Sequence, residues 1–226
     1  MPILALLFDV YGTLLDVHGL VAALEAVAPG RGAALSALWR QKQIDYTRLR
    51  TLSGHHADFA QVTADGLDFA AEKFAVRLSP AQRRDLLAAY DTLPAHPDAL
   101  AALTALAAQG GLRLGVLSNG TPLMLERGLD AAGLLPLLPY RLSIEAAGRY
   151  KTAPEAYRLG PEALGLPVGQ IGFVSSNGWD ACCAAWFGYR TLWVNRAGEP
   201  PERLGPGPER TARGLAEVAA WVAAAS

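Results

Sequence analysis

The chain has 226 residues, of which 51% are hydrophobic and 18% are charged, and its formal net charge is −1. This composition is typical of a globular protein with a sizeable core and excludes a largely disordered chain. The nearly balanced charge gives no support for binding nucleic acid or a membrane surface, and we expect neither as a partner.

Five short apolar runs, bounded by turn residues, predict the buried strands of a parallel sheet. They are too short for helices and apolar on both faces, as a sheet covered on two sides requires. The predicted strands are 3–9, 112–118, 140–144, 171–175 and 190–195. Helical patterns follow the second to fifth strands, at 121–132, 154–164, 178–188 and 214–225. The alternation predicts an α/β fold with a doubly wound, Rossmann-like parallel sheet.

The long interval between the first two strands breaks this alternation. It contains only helical patterns, at 18–28, 33–50, 57–74 and 80–91. We therefore predict a core domain formed by residues 1–16 and 98–226, and an inserted helical cap domain formed by residues 17–97. Two prolines interrupt the segment 93–100, which we interpret as the returning linker. The Pro/Gly-rich segment 196–210 is predicted to be a surface loop without a chemical role.

The cysteines and the N-terminal segment bear on the cellular location. Cys182 and Cys183 are adjacent and form neither a CxxC motif nor a disulfide framework, which favours a reducing compartment. The segment PILALLF lacks the basic region and cleavage site of a signal peptide, and no apolar stretch approaches membrane-spanning length. We expect a soluble cytoplasmic protein.

Polar side chains follow four of the predicted strands at the points where these end. Asp9 follows the first strand, Ser118 and Asn119 the second, Lys151 the third with its short loop, and the stretch SSNGWD (175–180) the fourth. The alternative interpretation is that these are turn and helix-cap residues, since Ser, Asn and Asp are common there. Because the carboxyl ends of parallel strands meet at one edge of the sheet, the four together favour a shared ligand site.

Four motifs resemble those of the haloacid dehalogenase superfamily: Asp9-Val-Tyr-Gly-Thr13, SNG (118–120), Lys151 and SSNGWD. The longer segments LWRQKQIDYTRLR (38–50), DFAQVT (58–63) and FVSSNGWDA (173–181) are similar to the L-2-haloacid dehalogenases, the type II group. The resemblance covers nearly the whole chain and implies a Rossmann-like core with a cap. It also implies hydrolysis of short (S)-2-haloalkanoic acids to (R)-2-hydroxy acids and halide, with inversion at C2, in a possible homodimer.

Two positions lack the acids that a magnesium-dependent phosphatase of this superfamily uses. Tyr11 stands where such an enzyme has its second aspartate, and Ser176 stands where it has a metal ligand. A halide leaves as a stable anion and needs no proton, whereas a second carboxylate 4 Å from an anionic substrate would cost about 4 kcal/mol at an effective dielectric of 20. We therefore predict no metal and no cofactor.

The first chemical step requires an ionised nucleophile. We predict that Asp9 attacks C2 and expels the halide, which leaves an enzyme ester. To stay ionised it needs a cation and hydrogen-bond donors, for which Lys151, Thr13 and Ser175 are the candidates. By resemblance, Ser118 would bind the substrate carboxylate.

The resemblance also implies which side chains receive the halide and line the pocket. Arg40 on the cap, with Asn119 and Trp179, would stabilise the negative charge that develops on the leaving group. Four residues would line the pocket for the substrate side chain: Tyr11, Gln41, Ile44 and Phe59.

The second step hydrolyses the ester and requires a base. We predict Asp180 for this role, held by Asn177 and Lys151, with Tyr157 fixing the lysine or the carboxylates. The four histidines all fall in the cap or its linkers, where we interpret them as solvated surface residues: His18, His55, His56 and His96.

Other functions were weighed against this one. A magnesium-dependent phosphatase of the same fold is the alternative enzyme, and a non-catalytic small-anion binding protein is the alternative from another class. A dinucleotide-binding module is disfavoured because no GxGxxG motif follows the first strand. The sequence leaves open the preferred chain length and whether C–F bonds are cleaved.

Overall fold

The computed structural model describes residues 1–225 and contains one sheet of six strands, all pairing in parallel. The strands are β1 (Ala5–Phe8), β2 (Arg113–Ser118), β3 (Tyr140–Ser143), β4 (Ile171–Ser175), β5 (Arg190–Val194) and β6 (Arg210–Ala212). Their order is β3-β2-β1-β4-β5-β6, so the chain winds in opposite directions on either side of β1. The prediction of a doubly wound parallel sheet is confirmed. Ligands of such sheets bind where the winding reverses, here at the end of β1.

Burial explains why the central strands are apolar on both faces. All four residues of β1 and all five of β4 are buried, because helices cover both sides of the sheet. The helices that follow β2 to β4 are α6 (Pro122–Ala131), α7 (Pro154–Leu164) and α8 (Gly178–Phe187), and α9 (Val218–Ala224) ends the described chain.

Four α-helices lie between β1 and α5 (Ala99–Ala108), and no described residue between Phe8 and Arg113 belongs to a strand. They are α1 (Val21–Val27), α2 (Gly32–Ser53), α3 (Phe59–Lys73) and α4 (Pro80–Tyr90). The start of α4 is fixed by a capping box, in which Ser79 and Gln82 exchange hydrogen bonds. The chain leaves and returns side by side, because Asp16 N–H donates to the Pro94 carbonyl and His96 N–H donates to the Leu14 carbonyl, each at 2.8 Å.

A buried polar network joins the helices of this segment. The Trp39 indole donates to the Thr63 carbonyl at 2.8 Å, and the Gln43 amide donates to the Thr63 hydroxyl at 2.8 Å. The Tyr90 hydroxyl donates to the other end of the Gln43 amide at 2.9 Å. These contacts fix α2, which carries several of the predicted site residues, against α3 and α4.

Two elements differ from the sequence prediction. Helix α5 (Ala99–Ala108) begins inside the segment predicted as a linker; its run ALAALTALAA has almost no polar residue and therefore no helical periodicity to detect. Strand β6 was missed because it has three residues at the sheet edge, of which only Ala212 is buried. Within residues 1–225, none of the helices has the combined length and apolar character needed to span a bilayer.

Candidate active site

Asp9 lies just beyond the end of β1 and is only 6% exposed. One carboxylate oxygen, Oδ1, accepts a hydrogen bond from Lys151 Nζ at 3.0 Å. The other, Oδ2, accepts from the Thr13 hydroxyl and from Asn177 Nδ2, both at 2.9 Å. A cation and two neutral donors thus stabilise the ionised carboxylate in a position where water contributes little.

The tight turn after β1 brings Thr13 back to Asp9. The amides of Thr13, Leu14 and Leu15 all donate to the Val10 carbonyl, at 3.0 to 3.1 Å. Gly12 lies within this turn with φ of +95°, a conformation that side-chain-bearing residues rarely adopt. The Thr13 hydroxyl accepts from the Ser176 amide at 2.8 Å, and its own proton is therefore free to point at Asp9.

Lys151 connects two buried carboxylates. Its Nζ lies 3.0 Å from Asp9 Oδ1 and 3.0 Å from Asp180 Oδ2, and the side chain is 1% exposed. Burial alone would lower the pKa of Lys151, but the carboxylates of Asp180 and Asp9 outweigh it and raise the pKa above its ordinary value. The lysine therefore stays charged and holds both acids in place.

Asp180 is fully buried in the first turn of α8. Besides the lysine, it accepts hydrogen bonds from the Ser175 hydroxyl at 2.9 Å and from the Tyr157 hydroxyl at 2.7 Å. Burial raises the pKa of Asp180; Lys151 opposes this rise, and the nearby charge of Asp9 adds to it. A carboxylate with a raised pKa is a better proton acceptor than an exposed aspartate.

A small cavity of about 20 Å³ opens beside Asp9 between the strand ends and α2. It brings together nearly all of the predicted substrate-binding residues. Ser118 and Asn119 lie at the end of β2; the Asn119 side-chain carbonyl accepts from the Lys151 amide at 3.1 Å, which fixes it. The lining residues are Asp9, Tyr11, Arg40, Gln43, Ile44, Thr47, Phe59, Ser118, Asn119, Asn177 and Trp179.

One wall of the cavity is aromatic. The ring centroid of Tyr11 lies 5.4 Å from those of Phe59 and Tyr90. The Tyr11 hydroxyl is buried and has no hydrogen-bond partner among the described residues. Burial, followed by the proximity of Tyr90, raises the pKa of Tyr11 well above its ordinary value, so the ring is a neutral, largely apolar surface beside Asp9.

Arg40 reaches across from α2 to the strand ends. Its Nη2 donates to the Tyr11 carbonyl at 2.9 Å, and the side chain lines both the cavity and a wider surface groove of about 700 Å³. Trp179, in the first turn of α8, also faces the cavity and lies 4.8 Å below the guanidinium of Arg48. Both groups are positioned where an anion in the cavity would meet them.

Gln41 is the one predicted pocket residue that the structure leaves outside the cavity. It is exposed and lines an outer depression with Arg40 and Ile44. Gln43 is buried and lines the cavity instead. The reason is helical geometry: Arg40, Gln43, Ile44 and Thr47 are spaced i, i+3, i+4, i+7 and share one face of α2, whereas Gln41 points about 100° away from Arg40.

Besides Gln43 and Thr47, which line the cavity, sequence reasoning missed two residues next to the site. His96 was interpreted as a solvated surface residue, but it is half-buried and its Nε2 lies 3.1 Å from the Gly12 carbonyl. Arg196 belongs to the segment predicted to have no chemical role, yet its guanidinium contacts both Thr13 and Ser176. No motif marks either residue, because they meet the site only through tertiary packing. His18, His55 and His56 are exposed as expected.

His96 gives a prediction about the pH dependence of stability. Burial and the charge of Arg196 lower the pKa of His96 from 6.5, so below about pH 6.5 the unfolded chain binds a proton that the folded protein resists. This contribution destabilises the fold progressively as the pH falls toward the lowered pKa. We expect His96→Gln to lose less stability than the wild-type protein between about pH 7.5 and pH 5, as measured by urea unfolding. Parallel pH profiles for the two proteins would contradict this.

The donor set around Asp9 does not fit a magnesium ion. Among residues 1–225 there is no cluster of three or more His, Cys, Asp and Glu side chains placed to bind a metal. The Tyr11 carbonyl already accepts from Arg40, and the Ser176 hydroxyl accepts from Arg196 at 2.7 Å. Magnesium prefers several oxygen ligands, with carboxylates among them, and here an ammonium lies between the two available acids.

The fold and the site together define a class of hydrolase. Residues 3–188 match the family model of the haloacid dehalogenase-like hydrolases, and the chain belongs to this family. The resemblance inferred from the four motifs is thereby confirmed.

Several members of this family are similar to the chain over nearly its whole length. The chain is 38% identical over 221 residues to the (S)-2-haloacid dehalogenase H-109 of Pseudomonas putida, covering 98% of both chains. Its structure is similar to the crystal structure of the L-2-haloacid dehalogenase RSc1362, with a TM-score of 0.96 and 44% identity, over 99% of this chain and 100% of that one. It is also similar to the structure of the L-2-haloacid dehalogenase of Xanthobacter autotrophicus with chloropropionic acid covalently bound. The TM-score is 0.94 and the identity 31%, over 99% of this chain and 100% of that one.

Proposed function

We propose that this protein is an (S)-2-haloacid dehalogenase, which hydrolyses short (S)-2-haloalkanoic acids to (R)-2-hydroxy acids and halide without a metal. The observation that carries the proposal is the buried Asp9, held by three donors and facing a small cavity whose neighbouring wall is the neutral Tyr11. The relatives named (S)-2-haloacid dehalogenase support it, as does the related structure with a covalently bound chloropropionic acid.

In the first step, an Asp9 oxygen forms a bond to C2 of the substrate while the carbon–halogen bond breaks and the halide leaves with the electron pair. Attack opposite the leaving group inverts the configuration at C2. Ser118 binds the substrate carboxylate, and Arg40, Asn119 and Trp179 stabilise the departing halide. A guanidinium that meets charge as it develops favours the transition state over the bound substrate.

In the second step, water attacks the ester carbonyl carbon of Asp9, and Asp180 accepts its proton. The bond between that carbon and the oxygen of the product then breaks, and this oxygen takes up the proton of the hydroxyl group added from water. The hydroxy acid is released, the Asp9 carboxylate is restored, and Asp180 passes its own proton to solvent. Lys151 stabilises negative charge on the carbonyl oxygen, while Ser175, Asn177 and Tyr157 hold the two acids. The raised pKa of Asp180, caused mainly by its burial, supports its role as the base.

The division into a core and a cap is part of this proposal. A cavity of about 20 Å³ has room for about one water molecule, so we infer that α2 moves away from the strand ends to admit a three-carbon haloacid. Residues 17–97 can act as the cap because the chain leaves and returns through adjacent segments near Leu14 and His96. Homodimer formation and a cytoplasmic location stay predictions from the sequence.

The test is halide release from the two enantiomers of 2-chloropropionate. We expect release from the (S)-enantiomer only, unchanged by a chelator, and no hydrolysis of p-nitrophenyl phosphate. Chelator-sensitive phosphate release would favour the phosphatase, and binding of the haloacid without turnover would favour an anion-binding protein.

The route through an ester can be tested separately by one turnover in ¹⁸O-water with enzyme in excess. We expect the hydroxy acid formed to carry an unlabelled new oxygen, because this atom comes from Asp9. Labelled product in that first turnover would show that water attacks C2 directly.

A further inference from the structure

Arg196 lies two residues beyond the end of β5 and joins three separate segments of the chain. Its Nη1 donates to the Ser176 hydroxyl at 2.7 Å. Its Nη2 donates to the Thr13 carbonyl at 3.1 Å and to Asp98 Oδ1 at 3.0 Å. The guanidinium therefore connects the loop after β1, the loop after β4 and the residue that precedes α5.

Asp98 anchors the arginine from the far side. Its Oδ2 accepts from the Leu215 amide at 2.7 Å, while Oδ1 accepts from Arg196. Although burial raises the pKa of Asp98, the hydrogen bonds from Leu215 and Arg196 lower it below its ordinary value. Asp98 is thus ionised at neutral pH and fixes the plane of the guanidinium.

The two loops that Arg196 connects are those that orient the nucleophile. Thr13 donates to Asp9 Oδ2 through its hydroxyl, and the Ser176 amide donates to that same hydroxyl. Arg196 binds the main-chain carbonyl of Thr13 and the side chain of Ser176. It thereby fixes the distance between the Ser176 amide and the Thr13 hydroxyl that accepts from it. The exposed fraction of its own side chain is 24%, and it does not line the cavity beside Asp9.

We propose that Arg196 is a positioning residue for the nucleophile, acting through Thr13 and Ser176. It keeps the Thr13 hydroxyl aimed at Asp9, and with it the angle at which the carboxylate faces the substrate carbon. A planar guanidinium can serve three acceptors in one plane, which the ammonium of a lysine cannot do in the same geometry. The inference rests on the proposed dehalogenase function, because the step it accelerates is the attack of Asp9.

The experiment compares Arg196→Ala with Arg190→Ala. Arg190 is a matched control, since it is also 24% exposed and forms an ion pair, here with Glu209, but begins β5 and so lies at the other end of this strand from Arg196. We expect Arg196→Ala to lower kcat for (S)-2-chloropropionate by about 10- to 100-fold with little change in KM, because misplacement of reacting groups affects the chemical step. We expect Arg190→Ala to keep the wild-type kcat and to lose a similar amount of thermal stability.

Two further measurements separate positioning from general destabilisation. In single turnovers, Arg196→Ala should slow the halide burst, and added guanidinium ion should restore part of it. Asp98→Asn should lower kcat in the same sense, and its effect should be largely absent in the Arg196→Ala background. If Arg196→Ala does not fold, Arg196→Lys replaces it, with an expected loss in kcat of about 5- to 20-fold because the donors of an ammonium do not lie in one plane and cannot reach the three acceptors in the same geometry.

The outcomes distinguish the two proposals. A folded Arg196→Ala or Arg196→Lys protein with the kcat and burst rate of the wild type overturns the positioning role but leaves the proposed function intact. A loss of activity that simply matches the loss of thermal stability, without rescue by guanidinium, also overturns it. A wild-type protein that releases no halide from any 2-haloacid overturns the proposed function and the positioning role together.

Discussion

Asp9→Asn is expected to reduce halide release from (S)-2-chloropropionate by about 10⁴-fold or more, because the amide is a poor nucleophile for carbon. The substitution keeps the size of the side chain and one oxygen that can accept a hydrogen bond from Asn177 or Thr13, so the fold should persist. No halide burst should appear even with enzyme in excess. The measurement is chloride release by ion chromatography, with the mass of the purified protein checked because asparagine can deamidate to aspartate.

The matched control is Asp130→Asn, which removes the same charge from an exposed position of α6. It should retain the wild-type kcat and KM. If Asp9→Asn, with its sequence verified, releases chloride at the rate of Asp130→Asn, then Asp9 is not the nucleophile and the ester route is wrong.

Asp180→Asn is expected to separate the two steps of the reaction. Attack by Asp9 remains possible, so about one halide per chain should be released in a burst. Loss of the base should then slow hydrolysis of the ester by about 10²- to 10⁴-fold, the range usual for general-base catalysis. Intact-protein mass spectrometry after the burst should show the acyl adduct, and peptide mapping should place it on Asp9.

The contrast with Asp9→Asn makes this prediction specific. Asp180→Asn also removes a charge from the Lys151 pair, and this alone could weaken the site. A general weakening would reduce the burst, whereas loss of the base leaves the burst and removes the turnover that follows. A variant with neither burst nor adduct, but with an intact fold, would contradict the assignment of Asp180.

The sequence carried the information for the sheet and for most of the site because both depend on local patterns. Buried parallel strands are short apolar runs, and the polar residues after β1, β2 and β4 mark the crevice without any knowledge of the strand order. Tyr11 and Ser176 could be interpreted at the sequence level because a change from an acid to a neutral residue alters charge at a fixed place in a motif. Helix α5 was not predicted from the sequence, because a uniformly apolar run has no helical periodicity to detect.

The structure was needed wherever a contact joins residues distant in the chain. The face of α2 that meets the cavity follows from helical period, but only the packing of α2 on the strand ends shows that Gln43 lies inside and Gln41 outside. Arg196 and Asp98 are separated by about a hundred residues and carry no motif, yet they form an ion pair beside the loops that carry Thr13 and Ser176. The sequence by itself determined the fold class and the polar residues at the strand ends, because both depend on residues that are close together in the chain. Only the tertiary structure decided which distant side chains orient them, because that depends on where the packed chain brings its loops together.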